Sequence, residues 1–361
     1  MIEGRFGESP ALSLGAEEEM MILDAESLDQ VGAVDVLLRE AAGRELPGTL
    51  KTELFASIVE LNTGICGDVH SCGRALAALR TAAAEAAAAG GLAIAGAGTH
   101  PFARPEEQPV VQEERYTSFV EYAGISARRQ GVQGLHVHVG MPSRDACWQV
   151  LEGVLPWLPL VLALSANSPL LAGEATGLAS NRAPILAELP RAGAPPAFGS
   201  YDGWESWVER LVELGVTADY TRIWWDVRPH PRFGTLEIRM PDQPTRLERA
   251  VALVALVQTL CAAALESPPP EPGDRGHYAQ NRWAAARFGP RAELIHPDGT
   301  RALRAPELWA DLLERLREPA RALGTLDLLE AIDPAGCEGD EQLAAGGARE
   351  AAAGLVERTL G

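Results

Sequence analysis

Three consecutive glutamates interrupt an apolar stretch near the start of the chain, in the sequence SLGAEEEMMILD. The apolar flanks predict a buried β-strand over residues 12–24, and side chains alternate along a strand. Glu17 and Glu19 therefore share one face, and Glu18 takes the other. Carboxylates seldom lie in a protein core unless their charge is compensated. The stretch fits a strand whose carboxylates face a cation, or an edge strand with a solvated polar face.

Two later segments place acidic or histidine side chains among apolar residues in the same way. TELFASIVELNT predicts a second strand over residues 52–63. Its Glu53 and Glu60 are seven residues apart, so they share a face only if a bulge or bend redirects one of them. GLHVHVGMP predicts a strand with His136 and His138 on one face. Neutral imidazoles at that spacing suit a metal site or a phosphate pocket, and they also suit two hydrogen-bonded core histidines.

A fourth segment, GTLEIRMPD, puts Glu237 and Arg239 on one strand face. They are typical of a plain ion pair, or of a metal ligand beside a phosphate clamp, because the planar guanidinium matches phosphate oxygens. Together the four segments offer carboxylates and imidazoles but no thiolates, which favours Mg²⁺ or Mn²⁺ over structural zinc. Such a set indicates phosphoryl transfer from a nucleotide. The sequence has no Walker A motif, no GxGxxG after a strand, no GxSxG and no HExxH.

The charge balance argues against two classes of partner. Fifty Asp and Glu residues against 31 Lys and Arg give a formal net charge of −19, the wrong sign for a protein that binds nucleic acid or an anionic membrane by itself. Five scattered cysteines without a CxxC pair predict free thiols in a reducing compartment. We see no signal peptide, and the two most apolar runs are shorter than the ~20 residues of a bilayer span. We therefore expect a cytoplasmic protein with two buried apolar helices.

Strand-like and helix-like segments are interleaved, and several strands are adjacent in sequence as hairpins. TRIWWDVRPHPRFGTLEIRMPD predicts one such hairpin, and an Ala-rich helix from residue 68 is predicted to end at Gly90 and Gly91. This order favours an α+β fold with a mainly antiparallel sheet over a doubly wound parallel one. A proline-rich linker at 267–276 precedes a helical remainder, and we expect residues 1–361 to form a single catalytic domain.

The motifs LGAEEEMMILD, TELFASIVELNTG, GLHVHVG, GTLEIRMPD and NRWAAARFG, in this order, resemble those of the carboxylate–amine ligase family, also called glutamate–cysteine ligase type 2. The resemblance covers residues 12–290, and residues 291–361 form a helical C-terminal part. It implies the glutamine-synthetase-like fold, a curved antiparallel sheet around a metal–nucleotide site with helices on its outer side. It also implies an enzyme that binds ATP with two or three Mg²⁺ ions and joins the γ-carboxylate of L-glutamate to an amine such as L-cysteine.

The resemblance also implies roles for individual residues. Arg239 is expected to contact the γ-phosphate of ATP, where charge develops during transfer, and His138 is assigned loosely to nucleotide or substrate. Arg182 and Arg228 are candidates to bind the carboxylate of the amino-acid substrate, and Glu18 is expected to be structural. Asn281 and Arg287 match the last motif without an assigned role. Two groups of metal ligands are expected, Glu17, Glu53 and Glu60 around one ion and Glu19, His136 and Glu237 around another that also touches the ATP phosphates.

The mechanism that the resemblance implies has two steps. The γ-carboxylate attacks the terminal phosphate of ATP and gives γ-glutamyl phosphate and ADP, and the amine then displaces phosphate to form the amide. A Pro/Gly-rich segment over residues 181–203 is the candidate loop that excludes water from the acyl phosphate.

Two alternatives stay open on the sequence. A metal-dependent hydrolase of the amidohydrolase type also carries HxH on a strand, but there the motif normally lies near the start of an eightfold βα repeat, which is not visible here. A non-catalytic relative that binds nucleotide or amino acid as a sensor would keep the same ligands. No motif identifies the acceptor amine, and exposed sheet edges with apolar helices are compatible with a homodimer.

Overall fold

The computed structural model describes residues 2–268 and 271–360, and antiparallel strands form its centre. The strands in these residues are β1 (Leu14–Asp24), β2 (Gly48–Thr52), β3 (Ile58–Thr63), β4 (Leu92–Ala95), β5 (Leu135–Gly140), β6 (Leu170–Leu171), β7 (Glu174–Ala175), β8 (Ala192–Gly193), β9 (Trp224–Trp225), β10 (Val227–His230), β11 (Thr235–Ile238), β12 (Glu293–Ile295) and β13 (Ala302–Arg304). Seven of them form one sheet in the order β10-β11-β5-β1-β3-β2, with β4 also paired to β1. Every pair in this sheet is antiparallel, which confirms the predicted α+β class.

Helices cover one face of this sheet. The helices in the described residues are α1 (Val34–Ala41), α2 (Val69–Ala89), α3 (Glu114–Ala123), α4 (Ile125–Arg128), α5 (Arg144–Val154), α6 (Leu158–Ser165), α7 (Arg182–Leu186), α8 (Tyr201–Glu213), α9 (Leu247–Glu266), α10 (Arg275–Phe288), α11 (Ala305–Leu323), α12 (Leu326–Glu330), α13 (Glu338–Ala344) and α14 (Ala348–Leu360). The predicted Ala-rich helix is α2. It begins after Asp68, whose side chain accepts a hydrogen bond from the Ser71 amide, and it ends before Gly90 as expected.

Strand β1 is the central element because it pairs with three other strands. One edge pairs with β3 over Glu17–Met21. The other edge pairs with β5 over Leu14–Glu18 and with β4 over Met21–Asp24. Glu19 and Met20 therefore lie at a gap between two partner strands, where the ladder supplies no neighbour on that edge.

The predicted strand over residues 52–63 is wrong in one respect, because the chain turns within it. Strand β2 ends at Thr52, residues 53–57 form a turn, and β3 begins at Ile58. This turn is the bend that redirects Glu53 toward Glu60, and it resolves the problem of their seven-residue spacing. The local sequence is apolar on both sides of the turn, so its pattern gave no sign of the break.

The two most apolar helical stretches lie in the core. Arg144–Ser165 and Leu247–Glu266 are long and apolar enough to cross a membrane, but 83% and 67% of their most apolar windows are buried inside the fold. Their burial beside the central sheet is typical of core helices, as the sequence predicts.

The C-terminal part is not purely helical, which corrects the expectation for residues 291–361. Strands β12 and β13 form a hairpin between α10 and α11. Helix α14 then returns to the central sheet, where the Thr359 hydroxyl accepts a hydrogen bond from the Gly96 amide just after β4. The prolines at 269 and 270, in the predicted linker, lie outside the described residues.

The topology also bears on the hydrolase alternative. An amidohydrolase barrel needs parallel strands that alternate with helices. The strand that carries His136 and His138 instead lies between two antiparallel neighbours. The sheet therefore gives these histidines a different setting from the one that the hydrolase alternative requires.

Candidate active site

The predicted site residues share one face of the central sheet, because the register of the strands aligns them. Residues directly opposite each other on paired strands point to the same side. The opposed pairs are Glu17 and His136, Glu19 and Glu60, His138 and Glu237, and Glu237 and Arg228. Glu53 joins this face from the turn before β3. The structure thus brings together side chains from strands β1, β3, β5, β10 and β11 and from the turn that carries Glu53.

Glu17 lies between the two histidines of β5. Its carboxylate oxygens are 3.4 Å from Nδ1 of His136 and 3.5 Å from Nε2 of His138. Burial would raise the pKa of Glu17, but the two imidazoles beside it hold that pKa well below its ordinary value. The pKa of His138 is in turn raised by Glu17 against the effect of burial.

Glu237 is neutralised by two arginines. Arg228 Nε lies 2.6 Å from one carboxylate oxygen, and Arg239 Nη1 lies 2.5 Å from the other. Burial opposes ionisation, but Arg228 and Arg239 hold the pKa of Glu237 well below its ordinary value. We call Glu17 and Glu237 the paired carboxylates.

Three other glutamates form what we call the carboxylate cluster, Glu19, Glu53 and Glu60. Burial raises the pKa of Glu19 to about 7, with a further rise from the charge of Glu60. Burial and the charges of Glu60 and Glu19 raise the pKa of Glu53 well above its ordinary value, and burial and Glu17 raise that of Glu60. The Gly134 amide donates to Glu19 at 2.6 Å, and Lys51 Nζ lies 3.8 Å from Glu60. These contacts do not offset the burial of three carboxylates.

The donor set fits divalent cations. The Nε2 atoms of His136 and His138 are buried and accept or donate no hydrogen bond among the described residues. One ligand atom from each of Glu17, His138 and Glu237 lies within 4.8 Å of the others. Burial, with the charge of Arg239, lowers the pKa of His136 to about 4, so its ring is neutral at pH 7. Carboxylates with a neutral imidazole are suitable ligands for Mg²⁺ or Mn²⁺.

Two cavities meet at this wall of side chains. The larger, of about 500 Å³, lies on the side of Glu19, Glu53 and His136. The smaller, of about 340 Å³, is lined by Glu17, His138 and residues of the N-terminal segment. Five arginines line the larger cavity, Arg115, Arg182, Arg222, Arg228 and Arg239. The carboxylates therefore lie between two spaces that could each admit a ligand, and one of these spaces is rich in guanidinium groups.

The predicted carboxylate clamps, Arg182 and Arg228, occupy different positions. Arg182 is buried and donates to the carbonyl oxygens of Met240 and Arg239 at 3.2 and 3.0 Å, while its Nε has no hydrogen-bond partner among the described residues. Arg228 donates to Glu237 and to the carbonyl of Ile223. Arg182 thus supports the backbone at the end of β11, and Arg228 is already engaged by a carboxylate.

The last motif, NRWAAARFG, contributes support rather than ligands. Asn281 exchanges two hydrogen bonds with the backbone of Ile295, and Arg287 donates to the Gly177 carbonyl. The sequence reading missed Arg282, whose guanidinium pairs with buried Asp226 at 2.8 Å. The carbonyl of Asp226 accepts the amide of Arg239, so this pair holds the strand that carries Arg239. Arg282 directly follows Asn281 in the motif, and this position was the sequence feature that could have identified it.

Sequence comparison gives the same assignment over nearly the whole chain. The sequence model of glutamate–cysteine ligase family 2 matches residues 13–356. A protein of Rubrobacter xylanophilus named "Putative glutamate--cysteine ligase 2-3" is 40% identical over 331 residues, which are 92% of this chain and 90% of that protein. A protein of Sorangium cellulosum named "Putative glutamate--cysteine ligase 2" is 36% identical over 352 residues, 95% of this chain and 92% of the relative.

Structure comparison supports the fold. The glutamate–cysteine ligase of Francisella tularensis, solved in complex with AMP, superposes on this chain with a TM-score of 0.69 at 15% sequence identity. The match covers 98% of this chain and 89% of the Francisella chain. The shared fold confirms the predicted α+β architecture with a mainly antiparallel sheet. Together with the match over residues 13–356, it shows that the chain belongs to glutamate–cysteine ligase family 2 and is an ATP-dependent ligase that forms carbon–nitrogen bonds.

Proposed function

We propose that the protein joins the γ-carboxylate of L-glutamate to the amine of L-cysteine or a related amine, through γ-glutamyl phosphate formed from ATP. The observation that carries this proposal is the wall of carboxylates and histidines between two cavities, with Arg239 beside it. A wall of this kind allows a nucleotide and a carboxylate substrate to approach the same charged centre from two sides.

The carboxylate cluster, Glu17, Glu237 and the two histidines would hold two or three Mg²⁺ ions, or Mn²⁺. Bound there, divalent cations neutralise anions that would otherwise repel one another at contact distance. This proposal is supported by the carboxylate cluster, in which burial and mutual repulsion raise the pKa values of three glutamates. A cation among them would compensate that repulsion. His138 belongs in this group as well as His136, because it lies directly opposite Glu237.

The chain's own residues have distinct tasks in this scheme. Arg239 lines the larger cavity and would stabilise charge on the transferred phosphoryl group, a type of interaction that typically contributes 10²–10³-fold to turnover. A γ-carboxylate oxygen bonds to phosphorus while the bond to ADP breaks. The amine then attacks the acyl carbon, inorganic phosphate leaves, and the amine loses a proton.

The larger cavity is our candidate for the amino-acid substrates. Arg182 and Arg222 line it and have no carboxylate ion pair among the described residues, so they are better placed to bind a carboxylate than Arg228, which pairs with Glu237, or Arg115, which pairs with Glu113 at 2.9 Å. Leu186 and Leu189, in the Pro/Gly-rich segment predicted to close over the site, also line it. Closure of this segment would exclude water from the acyl phosphate.

ADP release by the purified protein tests this function. The assay contains ATP, Mg²⁺ and L-glutamate with a panel of amines that includes L-cysteine. We expect ADP to form only with glutamate and one amine, which identifies the acceptor. ADP from glutamate alone would indicate acyl phosphate lost to water, with the amine still to be found. Binding of metal and ATP without ADP under any condition, with Mn²⁺ also tried, would contradict the proposal and favour the sensor.

A further inference from the structure

The gap in the sheet beside Glu19 is filled by one side chain. Gln243 Oε1 accepts the Glu19 amide at 3.1 Å, the position at which β1 has no strand neighbour on that edge. Its Nε2 donates to Glu18 Oε1 at 2.9 Å and to the Pro244 carbonyl at 3.0 Å. The donors and acceptors around it fix which end of the amide is oxygen. Gln243 is therefore bonded both to the backbone of a cluster glutamate and to the carboxylate next to it.

Arg80 binds the same strand from behind. It projects from α2 and donates Nε and Nη2 to the two oxygens of Glu18 at 2.8 and 2.6 Å. Its remaining N–H groups reach the carbonyls of Thr245 (2.6 Å), Thr359 (3.1 Å) and Pro244 (3.2 Å). All five N–H groups of the guanidinium are thus in use. Both side chains are buried, with 0% of Glu18 and 2% of Arg80 exposed.

We propose that Arg80 and Gln243 are positioning residues, which hold Glu17 and Glu19 at the spacing that cation binding requires. Glu17 and Glu19 flank Glu18 on one strand, so a fixed Glu18 side chain and a fixed Glu19 amide set the positions of both. Without this support, the repulsion between like charges on the opposite face would be relieved by movement of β1. Helix α14 takes part because Thr359 supplies one of the carbonyls that orient Arg80.

A purely stabilising role would not require this arrangement. Replacing a buried ion pair by apolar residues of similar volume is often neutral or stabilising, so a buried pair by itself is weak evidence for stability. What an apolar pair cannot do is hold the strand through directed hydrogen bonds, four of which reach the Glu18 carboxylate or the Glu19 amide. The inference rests on the proposed function, because the positions that matter are those facing the cations.

A matched pair elsewhere in the chain provides the control. Arg275 Nη2 and Nη1 bind Glu152 at 2.7 and 2.9 Å, and Arg275 also donates to the carbonyls of Pro195 and Gly273. This second two-bond pair is less buried than the Arg80–Glu18 pair, with 21% of the Arg275 side chain exposed, and it binds through the two terminal nitrogens instead of Nε and Nη2. Neither Arg275 nor Glu152 lines either cavity.

The experiment compares Arg80→Lys and Gln243→Met with Arg275→Lys in the full chain. The readouts are the Mn²⁺ dissociation constant of the free protein from electron paramagnetic resonance, the melting temperature, and kcat over a range of Mg²⁺ concentrations. We expect the Mn²⁺ constant to rise about tenfold or more in the first two variants, with kcat partly recovered at high Mg²⁺. Arg275→Lys should lower the melting temperature and leave the Mn²⁺ constant within twofold of wild type.

Each outcome decides the matter. If Arg80→Lys does not fold, Gln243→Met tests the proposal alone, since it removes no charge. Unchanged Mn²⁺ constants in the site variants, or an equal rise in Arg275→Lys, overturn the positioning role while the proposed function stands. A wild-type protein that binds no Mn²⁺ overturns the proposed metal site and this inference together.

Discussion

The paired carboxylates and the carboxylate cluster lie on one face of one sheet, yet their pKa values are shifted in opposite directions. Glu17 and Glu237 have histidines and arginines at 2.5–3.5 Å, and their pKa values are held low. The three cluster glutamates face mainly one another, and their pKa values are raised. Buried glutamates on one sheet face thus have lowered pKa values in the paired carboxylates and raised pKa values in the carboxylate cluster, because their neighbours differ in charge.

This difference indicates where a cation is needed. Arg228 and Arg239 already neutralise Glu237, so a metal ion there adds to an existing balance. Among the described residues the carboxylate cluster has no comparable ion pair, and its shortest, from Lys51 Nζ to Glu60, measures 3.8 Å. A divalent ion would therefore change the energy of the cluster more than that of the paired carboxylates.

The largest effect is expected from Glu237→Gln. This change removes the carboxylate that Arg228 and Arg239 share, and leaves two buried guanidinium groups unpaired. We expect turnover to fall about a thousandfold, in the range typical of a lost electrostatic contact at a reacting centre, while the fold is retained. ADP release measures turnover, and circular dichroism checks the fold. Exposed Glu293→Gln on β12 is the control, and normal activity in Glu237→Gln would remove Glu237 from the site.

Removing a carboxylate from the carboxylate cluster should make the metal-free protein more stable. Glu53→Gln removes one of three mutually repelling carboxylates, so the metal-free protein is expected to melt about 2 °C higher. The same change removes a proposed ligand, and the rise in melting temperature on adding Mg²⁺ should shrink. Differential scanning calorimetry with and without Mg²⁺ measures both quantities. A metal-free variant less stable than wild type would mean that Glu53 is held by contacts other than repulsive ones.

The raised pKa of Glu19 makes the comparison dependent on pH. A carboxyl that titrates at about 7 in the folded protein and at about 4.3 in the unfolded chain binds its proton more tightly when folded. Protonation therefore stabilises the metal-free protein, fully at pH below about 4.3, and this contribution is lost as the pH rises through 7.

Melting temperatures between pH 5.5 and 8.5 test this dependence. Without metal, the contribution from Glu19 should decrease with pH, and saturating Mg²⁺ should remove that decrease because the metal replaces the proton. Calorimetry in two buffers of different ionisation enthalpy should show proton release when Mg²⁺ binds at pH 7. Binding without proton release at this pH would contradict the raised pKa of the cluster.

The sequence predicts which face of the sheet each site residue takes, but it does not predict which distant residues contact it. The alternation around Glu18 placed Glu17 and Glu19 on one face, and β1 confirms it. The partner of Glu18 could not be found that way, because Arg80 lies in an Ala-rich helix 62 positions later and resembles an exposed helical arginine. Local patterns specify which face a residue takes, whereas partners depend on tertiary packing.

The same limit applies to the groupings of the ligands. The sequence placed His136 and His138 on one strand face but could not say which of them lies opposite Glu237, since register between distant strands has no local signature. The turn at 53–57 is a second example, because it brings Glu53 to Glu60 although the apolar pattern continues through it.

The smallest effect is expected at Lys51, which is the one lysine among the 361 residues. Its Nζ is 3.8 Å from Glu60 and its side chain is 46% exposed, so the pair contributes below about 1 kcal/mol. Lys51→Met removes a positive charge beside the carboxylate cluster and should lower the Mg²⁺ concentration for half-maximal activity by about threefold, with Lys51→Arg close to wild type. Lys51 also lines the smaller cavity. An unchanged Mg²⁺ requirement with a higher KM for ATP would mean that Lys51 binds a phosphate of ATP. The charge of Lys51 would then not oppose the binding of Mg²⁺ to the carboxylate cluster.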